Sequence, residues 1–285
     1  MDDDLKLVTL TSMGFDLDVA RSALVACNGD VERAIEYCLG GGGGIPAPDA
    51  TAASAAGGGG TGTLIRASGV SQYTFGSDGR SACTCIALRY AERFLQATSQ
   101  PAQASATSAD AIIGESFLSE GLNQGVDLYK AIKAGGSTSV EHMSAEEVLG
   151  NVHGKQALAN LKLDAPVRQG VLSSDSSSPL GMQAVLAGCQ SDSHWVAVVI
   201  TKSPETVVVV LPPSSPHSAS QYVLLDSHPR PHLGADGSYA MAHDNMGSLV
   251  RTLFLEIFPF TDLGNDVGEM MQMMYNSFDA YVLHM

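Results

Sequence analysis

The apolar positions of residues 1–39 recur every three or four residues, which is the period of an α-helix. They fall into three short groups, separated at Gly14 and at Gly29, and Asp30 is suited to cap the third group. The pattern predicts three short helices. Because a segment of this length can bury only a little apolar surface, we expect residues 1–40 to form a small module.

This periodicity stops in residues 41–63, where Gly and Ala dominate. Such a composition cannot bury enough apolar surface to offset the entropy of ordering, so it predicts a flexible linker. A Gly-rich chain of about 24 residues spans roughly 25 to 30 Å. The two flanking segments are therefore expected to fold as separate domains.

Residues 64–285 combine both periods, with helical spacing in the first half and β-branched runs in the second. The stretch SACTCIALRYAERFLQAT predicts a helix, since Ile86, Tyr90 and Phe94 share one face. Further helices are predicted around 109–134, 144–150, 246–258 and 265–274, and strands at HWVAVVIT, TVVVVL, QYVLLDS, SYAMAH and DAYVLHM. Helices followed by antiparallel strands predict an α+β domain.

The formal net charge of -15 argues against nucleic acid as a partner, because binding to phosphates is driven by Lys and Arg. No run of about 18 apolar residues indicates a membrane span. The N-terminus MDDDLKLVTL lacks the basic and apolar regions of a signal peptide. We therefore expect a cytoplasmic or nuclear protein that does not associate with membranes.

The five cysteines are odd in number and too sparse for a disulfide framework. They form no CxxC pairs, and the histidines show no spacing typical of zinc ligands, so no metal and no cofactor is expected. Reduced thiols are the simplest interpretation. One of them is then available as a nucleophile.

Cys83 and Cys85 lie at the start of the predicted helix, where the helix dipole and unpaired N–H groups stabilise a thiolate. Asp226 and His228 end a predicted strand, and residues two apart on a strand share one face. Ser227 between them should then point away. The Asp could orient the imidazole while its other nitrogen accepts the thiol proton.

Two further residues are candidates for this chemistry. His194 opens the strand HWVAVVI, so a triad of cysteine, His194 and Asp226 is an alternative to one that uses His228. Gln72 lies eleven residues before Cys83, and its amide could stabilise an oxyanion together with the cysteine N–H. The residue types alone leave both histidines and both cysteines open.

The stretch LTSMGFDLDVARSALVACNGDVERAIEYCLGG resembles the ubiquitin-associated (UBA) domain over nearly its whole length. The Met-Gly-Phe loop, the Asn-Gly-Asp turn and the third-helix pattern carry this resemblance. It implies a three-helix bundle whose apolar patch binds ubiquitin. In this sequence that patch would comprise Met13, Gly14, Phe15 and Leu39.

The order glutamine, helix-start cysteine, His-apolar strand and Asp-x-His resembles the papain-like cysteine proteases. The motifs CTCIAL and LLDSHP are most similar to the deubiquitinating domain of herpesvirus large tegument proteins and its relatives. Autophagins and ubiquitin-fold-modifier proteases share the Asp-x-His ending, but their Gly-Trp-Gly-Cys motif is absent, since RSAC ends at Cys83. The resemblance spans most of residues 64–285 as an order of motifs.

The resemblance implies a papain-like deubiquitinase that cleaves after the C-terminal glycine of ubiquitin, with the UBA domain recruiting ubiquitin or polyubiquitin chains. Cys83 would be the nucleophile, His228 the acid and base, and Asp226 the residue that orients it, with Gln72 in the oxyanion site. The stretch CIAL resembles the papain pattern of Cys, one residue, Ala and an apolar residue, so Cys85 is the alternative nucleophile. A protease for another ubiquitin-like modifier and a non-enzymatic ubiquitin receptor are the alternative functions.

Overall fold

The computed structural model describes Arg21, Leu24 and residues 62–99, 109–114, 116–136, 142–173, 178–214, 221–264 and 267–285. The chain divides into two compact units, Met1–Gly58 and Gly59–Met285. The predicted helices of the N-terminal module and the predicted linker up to residue 61 lie outside the described residues, apart from Arg21 and Leu24. Apart from these two residues, every described helix and strand belongs to the second unit.

The second unit combines helices with an antiparallel sheet, so the α+β prediction is confirmed. Its helices are α1 (Gly76–Arg80), α2 (Cys83–Thr98), α3 (Ala109–Ile112), α4 (Phe117–Ala134), α5 (Ala145–Gly150), α6 (Val152–Ala157), α7 (Met182–Cys189), α8 (Met246–Thr252) and α9 (Glu269–Tyr275). Two 3-10 turns span Gln72–Phe75 and Pro231–Leu233, and a π-helical turn, Leu253–Ile257, extends α8.

The strands are β1 (Thr63–Ala67), β2 (Lys162–Leu163), β3 (Arg168–Val171), β4 (Val196–Lys202), β5 (Glu205–Leu211), β6 (Tyr222–Asp226), β7 (Tyr239–His243) and β8 (Ser277–His284). They form one sheet in the order β1-β7-β6-β5-β4-β8-β2, and β3 also pairs with β8. Every pair of strands is antiparallel. Thr63, which the composition assigned to the linker, is the first residue of β1.

The central helix α2 lies against the middle of the sheet and packs closely on α4. Gly125 of α4 permits this approach, because a Cβ there would be 2.5 Å from the Cα of Ile86. Along the sheet, Val223 and Leu225 pack with the α2 side chains, whereas Leu224 packs on the opposite face. Both faces are therefore buried, which explains why the central strands are continuous apolar runs.

The five strands predicted from β-branched runs correspond to β4, β5, β6, β7 and β8, and the five predicted helical regions each contain a helix. Ser144 caps α5 in a capping box with Glu147. The sequence did not predict the helices α1, α6 and α7 or the strands β1, β2 and β3. β2 and β3 are short and largely polar, and they become strands by pairing with β8. None of the described helices is long and apolar enough to cross a membrane.

Candidate active site

Cys83 is the first residue of α2, as predicted, and its side chain faces the turn between β4 and β5. Its Sγ lies 3.8 Å from the carbonyl oxygen of Pro204. Burial raises the pKa of the Cys83 thiol, whereas the hydroxyl of Thr206 and the N–H of Thr84 act in the opposite direction. The net shift is upward, so the thiol is neutral at pH 7.

Cys85, the competing candidate, belongs to the apolar core. It is only 1% exposed and packs within the cluster that joins α2 to the sheet. Burial raises the pKa of its thiol well above the ordinary value, and Cys83 adds to this shift. A neutral thiol within a packed core is a poor nucleophile, so the geometry favours Cys83.

Asp226 and His228 form a direct, buried pair at the end of β6. The Nδ1 atom of His228 lies 2.6 Å from Oδ1 of Asp226, and the backbone N–H of His228 donates to the same oxygen at 2.8 Å. The side chains are 0% and 4% exposed. Because Nδ1 faces the carboxylate, Nε2 is the nitrogen left for proton transfer.

The second oxygen of Asp226 is held by two other side chains. Arg230 Nε donates to Oδ2 at 3.2 Å and the hydroxyl of Tyr239 donates at 3.3 Å. Burial alone would raise the pKa of Asp226, but His228 and Arg230 outweigh it and the net shift is downward. Asp226 is therefore a carboxylate at neutral pH.

The charge of Asp226 in turn determines the protonation of His228. Burial alone would lower the pKa of His228, but Asp226 and, to a lesser extent, Glu205 more than offset this, so the net shift is upward. Glu205 also forms a 2.6 Å ion pair with Arg230. The imidazolium form that a proton transfer would create is thus stabilised by neighbouring carboxylates.

Gln72 is 1% exposed and is fixed at both ends of its side-chain amide. Its Nε2 donates to the carbonyl oxygen of Arg80 at 3.3 Å, and its Oε1 accepts from the Ser227 hydroxyl at 2.6 Å. The backbone N–H of Gln72 also donates to the Ser227 carbonyl at 3.2 Å. Gln72 therefore joins the turn before α2 to the Asp-x-His segment.

Ser227, which was predicted to point away from the face of Asp226 and His228, lies in the interior of the protein. Ser227 does face the opposite side of the strand from Asp226, as the two-residue period requires, but that side is where α2 packs. Its side chain is consequently 3% exposed and bonded to Gln72. The strand end thus presents functional groups on both of its faces.

The structure brings the predicted residues to one end of the sheet. Val208 of β5 pairs with Leu225 of β6, so continuing the register places Glu205 level with His228. Cys83 Sγ contacts the carbonyl oxygen of Pro204, the residue before Glu205, so the cysteine lies at the same end of the sheet. A nucleophile, an oriented base and an amide donor in one region can perform acyl transfer.

His194 lies at the other end of the sheet and precedes β4 rather than belonging to it. Asp226 is level with Ile200 across the β5 register, and His194 is six positions before Ile200, or about 20 Å along the strand direction. His194 is exposed and contacts the hydroxyls of Ser191 and Ser193. This position is incompatible with the alternative triad.

Sequence reasoning missed several residues that support the site. Arg230 is four positions after Asp226 in a turn, and a basic residue so close in sequence to an acidic one could have predicted their ion pair. Glu205 and Tyr239 contact the site only because β5 and β7 flank β6, so no local pattern could reveal them. Tyr73 places its ring edge against His228, with ring centroids 6.0 Å apart.

No group of three or more His, Cys, Asp or Glu side chains in the described part of the chain could hold a metal ion. The expected absence of a cofactor stays a prediction. The four residues predicted to bind ubiquitin, Met13, Gly14, Phe15 and Leu39, lie outside the described residues. Their role likewise stays a prediction.

The N-terminal module matches a known family. Residues 3–37 match the family model of the UBA/TS-N domain. The chain carries a UBA domain at its N-terminus. This agrees with the resemblance seen in the Met-Gly-Phe loop and the Asn-Gly-Asp turn.

The structure is also similar to the crystal structure of the ubiquitin-specific protease encoded by murine cytomegalovirus tegument protein M48, in complex with a ubiquitin-based suicide substrate. The similarity has a TM-score of 0.48 at 12% identity and covers 78% of this chain and 85% of that chain. The viral protease is of the type that the sequence motifs resemble. No curated protein sequence matches the chain.

Proposed function

We propose that the UBA-containing chain is a cysteine-type deubiquitinase that hydrolyses the bond after the C-terminal glycine of ubiquitin. The observation that carries this proposal is the buried 2.6 Å pair of Asp226 and His228 at the same sheet end as the helix-start Cys83. A buried carboxylate that orients an imidazole near a cysteine is the arrangement that nucleophilic acyl transfer requires.

In the proposed reaction His228 Nε2 accepts the thiol proton, and the sulfur of Cys83 attacks the carbonyl carbon of the terminal glycine. The resulting oxyanion accepts hydrogen bonds from the Cys83 N–H and the amide of Gln72. His228 then donates its proton to the departing amine, and the C–N bond breaks. Water, deprotonated by His228, attacks the thioester and restores the thiol.

The raised pKa of Cys83 fits a site that is inactive until substrate binds. Cys83 is 2% exposed and His228 is 3% exposed in the free protein. The substrate tail must therefore displace covering groups, and Tyr73, which is 40% exposed and contacts His228, is one candidate. A closed, neutral thiol is also protected from oxidation.

The UBA domain and the surface beside the site both support a protein substrate. If residues 41–63 form the short linker that their composition predicts, UBA-bound ubiquitin would raise the local concentration of a neighbouring linkage to roughly the millimolar range. Near the site, α9 exposes apolar side chains, and the Tyr275 ring lies 5.8 Å from Lys202 Nζ, at the end of the sheet that holds Cys83. Exposed apolar side chains of this density are typical of protein-binding surfaces.

Covalent labelling of the full chain with a ubiquitin probe bearing a C-terminal electrophile tests this proposal. Wild type and Cys85→Ala are expected to form the adduct, whereas Cys83→Ala is expected to form none. Labelling that is lost in Cys85→Ala and kept in Cys83→Ala would reverse the assignment of the nucleophile. Parallel probes built on other ubiquitin-like modifiers test the alternative substrate, and a protein that no probe labels would be a non-enzymatic receptor.

A further inference from the structure

Ser227 lies between Asp226, which is proposed to orient the base, and His228, the proposed base. Its own hydrogen bonds join it to Gln72. Its hydroxyl is 2.6 Å from Gln72 Oε1, and its carbonyl accepts the backbone N–H of Gln72 at 3.2 Å. Ser227 and Gln72 are 3% and 1% exposed. Two hydrogen bonds shielded from water therefore join these residues.

The two ends of the Gln72 amide are chemically different, so its orientation matters. A carbonyl oxygen such as that of Arg80 can only accept, which requires the NH2 group on that side. The Ser227 hydroxyl donates to the remaining oxygen. If the amide flipped, its oxygen would face the Arg80 carbonyl without a donor, and a buried unpaired acceptor is costly.

Arg80 accepts from only one of the two N–H bonds of the amide. Arg80 is the last residue of α1 and lies three residues before Cys83, so the NH2 group contacts the backbone that leads to the proposed nucleophile. The second N–H bond is the one suited to an oxyanion that forms at Cys83. The orientation of Gln72 thus determines whether a donor or an acceptor faces the reacting carbonyl.

We propose that Ser227 is a positioning residue that holds the Gln72 amide with its NH2 group toward Cys83. Through Ser227 the Asp-x-His segment positions the oxyanion donor as well as the base. The proposal rests on the proposed cysteine hydrolase function. It assigns to the middle residue of Asp-x-His a role that its position between the acid and the base does not suggest.

The test uses the full chain and a fluorogenic mono-ubiquitin substrate. Ser227→Ala is expected to lower kcat about 10-fold with little change in KM. This loss is smaller than the decrease in kcat of about 100- to 1000-fold that is expected when the Gln72 donor itself is removed. Ser227→Thr keeps the hydroxyl and is expected to restore most of kcat. Ser248→Ala is the matched control, since its hydroxyl contacts His243 at the opposite end of β7.

A double-mutant cycle separates this role from a structural one. In a Gln72→Ala background, Ser227→Ala is expected to have no further effect on kcat, and in either background the pH profile should keep its shape. Additive losses, or a shifted pH profile, would mean that Ser227 acts through His228 and would overturn the inference. If Ser227→Ala does not fold, Ser227→Cys takes its place with the same expectations.

The outcomes distinguish this inference from the function on which it rests. Turnover that survives in Cys83→Ala, or no turnover in wild type, contradicts the proposed function. Normal turnover in wild type that Ser227→Ala leaves unchanged contradicts only the role of Ser227.

Discussion

Replacing Asp226 with Asn removes one charge from the centre of the site and changes little in volume. The native carboxylate accepts four hydrogen bonds, from Nδ1 and the backbone N–H of His228, from Arg230 Nε and from the Tyr239 hydroxyl. An asparagine side chain has only one acceptor oxygen. Its NH2 group must therefore face either the two donors of His228 or the Arg230 and Tyr239 pair.

The magnitude follows from the charge lost beside the imidazolium. Two unit charges about 4 Å apart attract by about 4 kcal/mol at an effective dielectric constant of 20. At about 1.4 kcal/mol for each factor of ten, Asp226→Asn should lower kcat about 1000-fold. Without the carboxylate, burial dominates and the pKa of His228 falls, so the basic form persists to lower pH.

The assay is hydrolysis of the fluorogenic mono-ubiquitin substrate, with circular dichroism to confirm that the variant is folded. Asp192→Asn is the matched control, because Asp192 is an exposed carboxylate near His194 that accepts from Ser214. It should leave kcat unchanged. A folded Asp226→Asn protein with kcat within about threefold of wild type would refute the role assigned to Asp226.

Other changes to the chain should each have a distinct effect. His228→Ala should abolish measurable turnover while His194→Ala keeps it, and the reverse pattern would restore the alternative triad. Burial lowers the pKa of His243 to about 4, so the unfolded state takes up the proton first as pH falls below about 6.5. The free energy of unfolding should therefore fall by up to about 3 kcal/mol between pH 6.5 and 4, measured as a lower melting temperature, and His243→Asn should flatten this dependence. Met270, which is 75% exposed on α9, is expected to touch the substrate, so Met270→Lys should raise KM at unchanged kcat; an unchanged KM would place the substrate elsewhere. Deleting residues 1–40 should slow cleavage of ubiquitin chains but hardly change mono-ubiquitin hydrolysis, and an equal loss on both would contradict recruitment by the UBA domain.

Local sequence patterns predicted many of the helices and strands. The i, i+4 spacing of Ile86 and Tyr90 predicted α2, because a helix that packs on a sheet needs one continuous apolar face. The β-branched runs predicted the central strands. The pairing of β1 with β7 was not predictable, since it joins residues about 180 positions apart and depends on which sheet edge is free.

The candidate site divides in the same way. Asp226 and His228 interact across two positions of one strand, and Cys83 lies at a helix start, so their chemistry could be read from local sequence. The choice between His194 and His228 could not, because it depends on strand register. Register placed His194 at the far end of the sheet.

The sequence by itself determined that the chain has an N-terminal UBA domain and an α+β unit with a cysteine, an acid and an imidazole in suggestive local settings. Only the tertiary structure decided which of these side chains meet. It placed Glu205 and Arg230 beside the Asp226–His228 pair and bonded Ser227 to Gln72, 155 positions earlier. The physical reason is that helical periodicity and strand alternation depend on neighbouring residues. Hydrogen bonds between residues far apart in sequence form only when the sheet and α2 pack together.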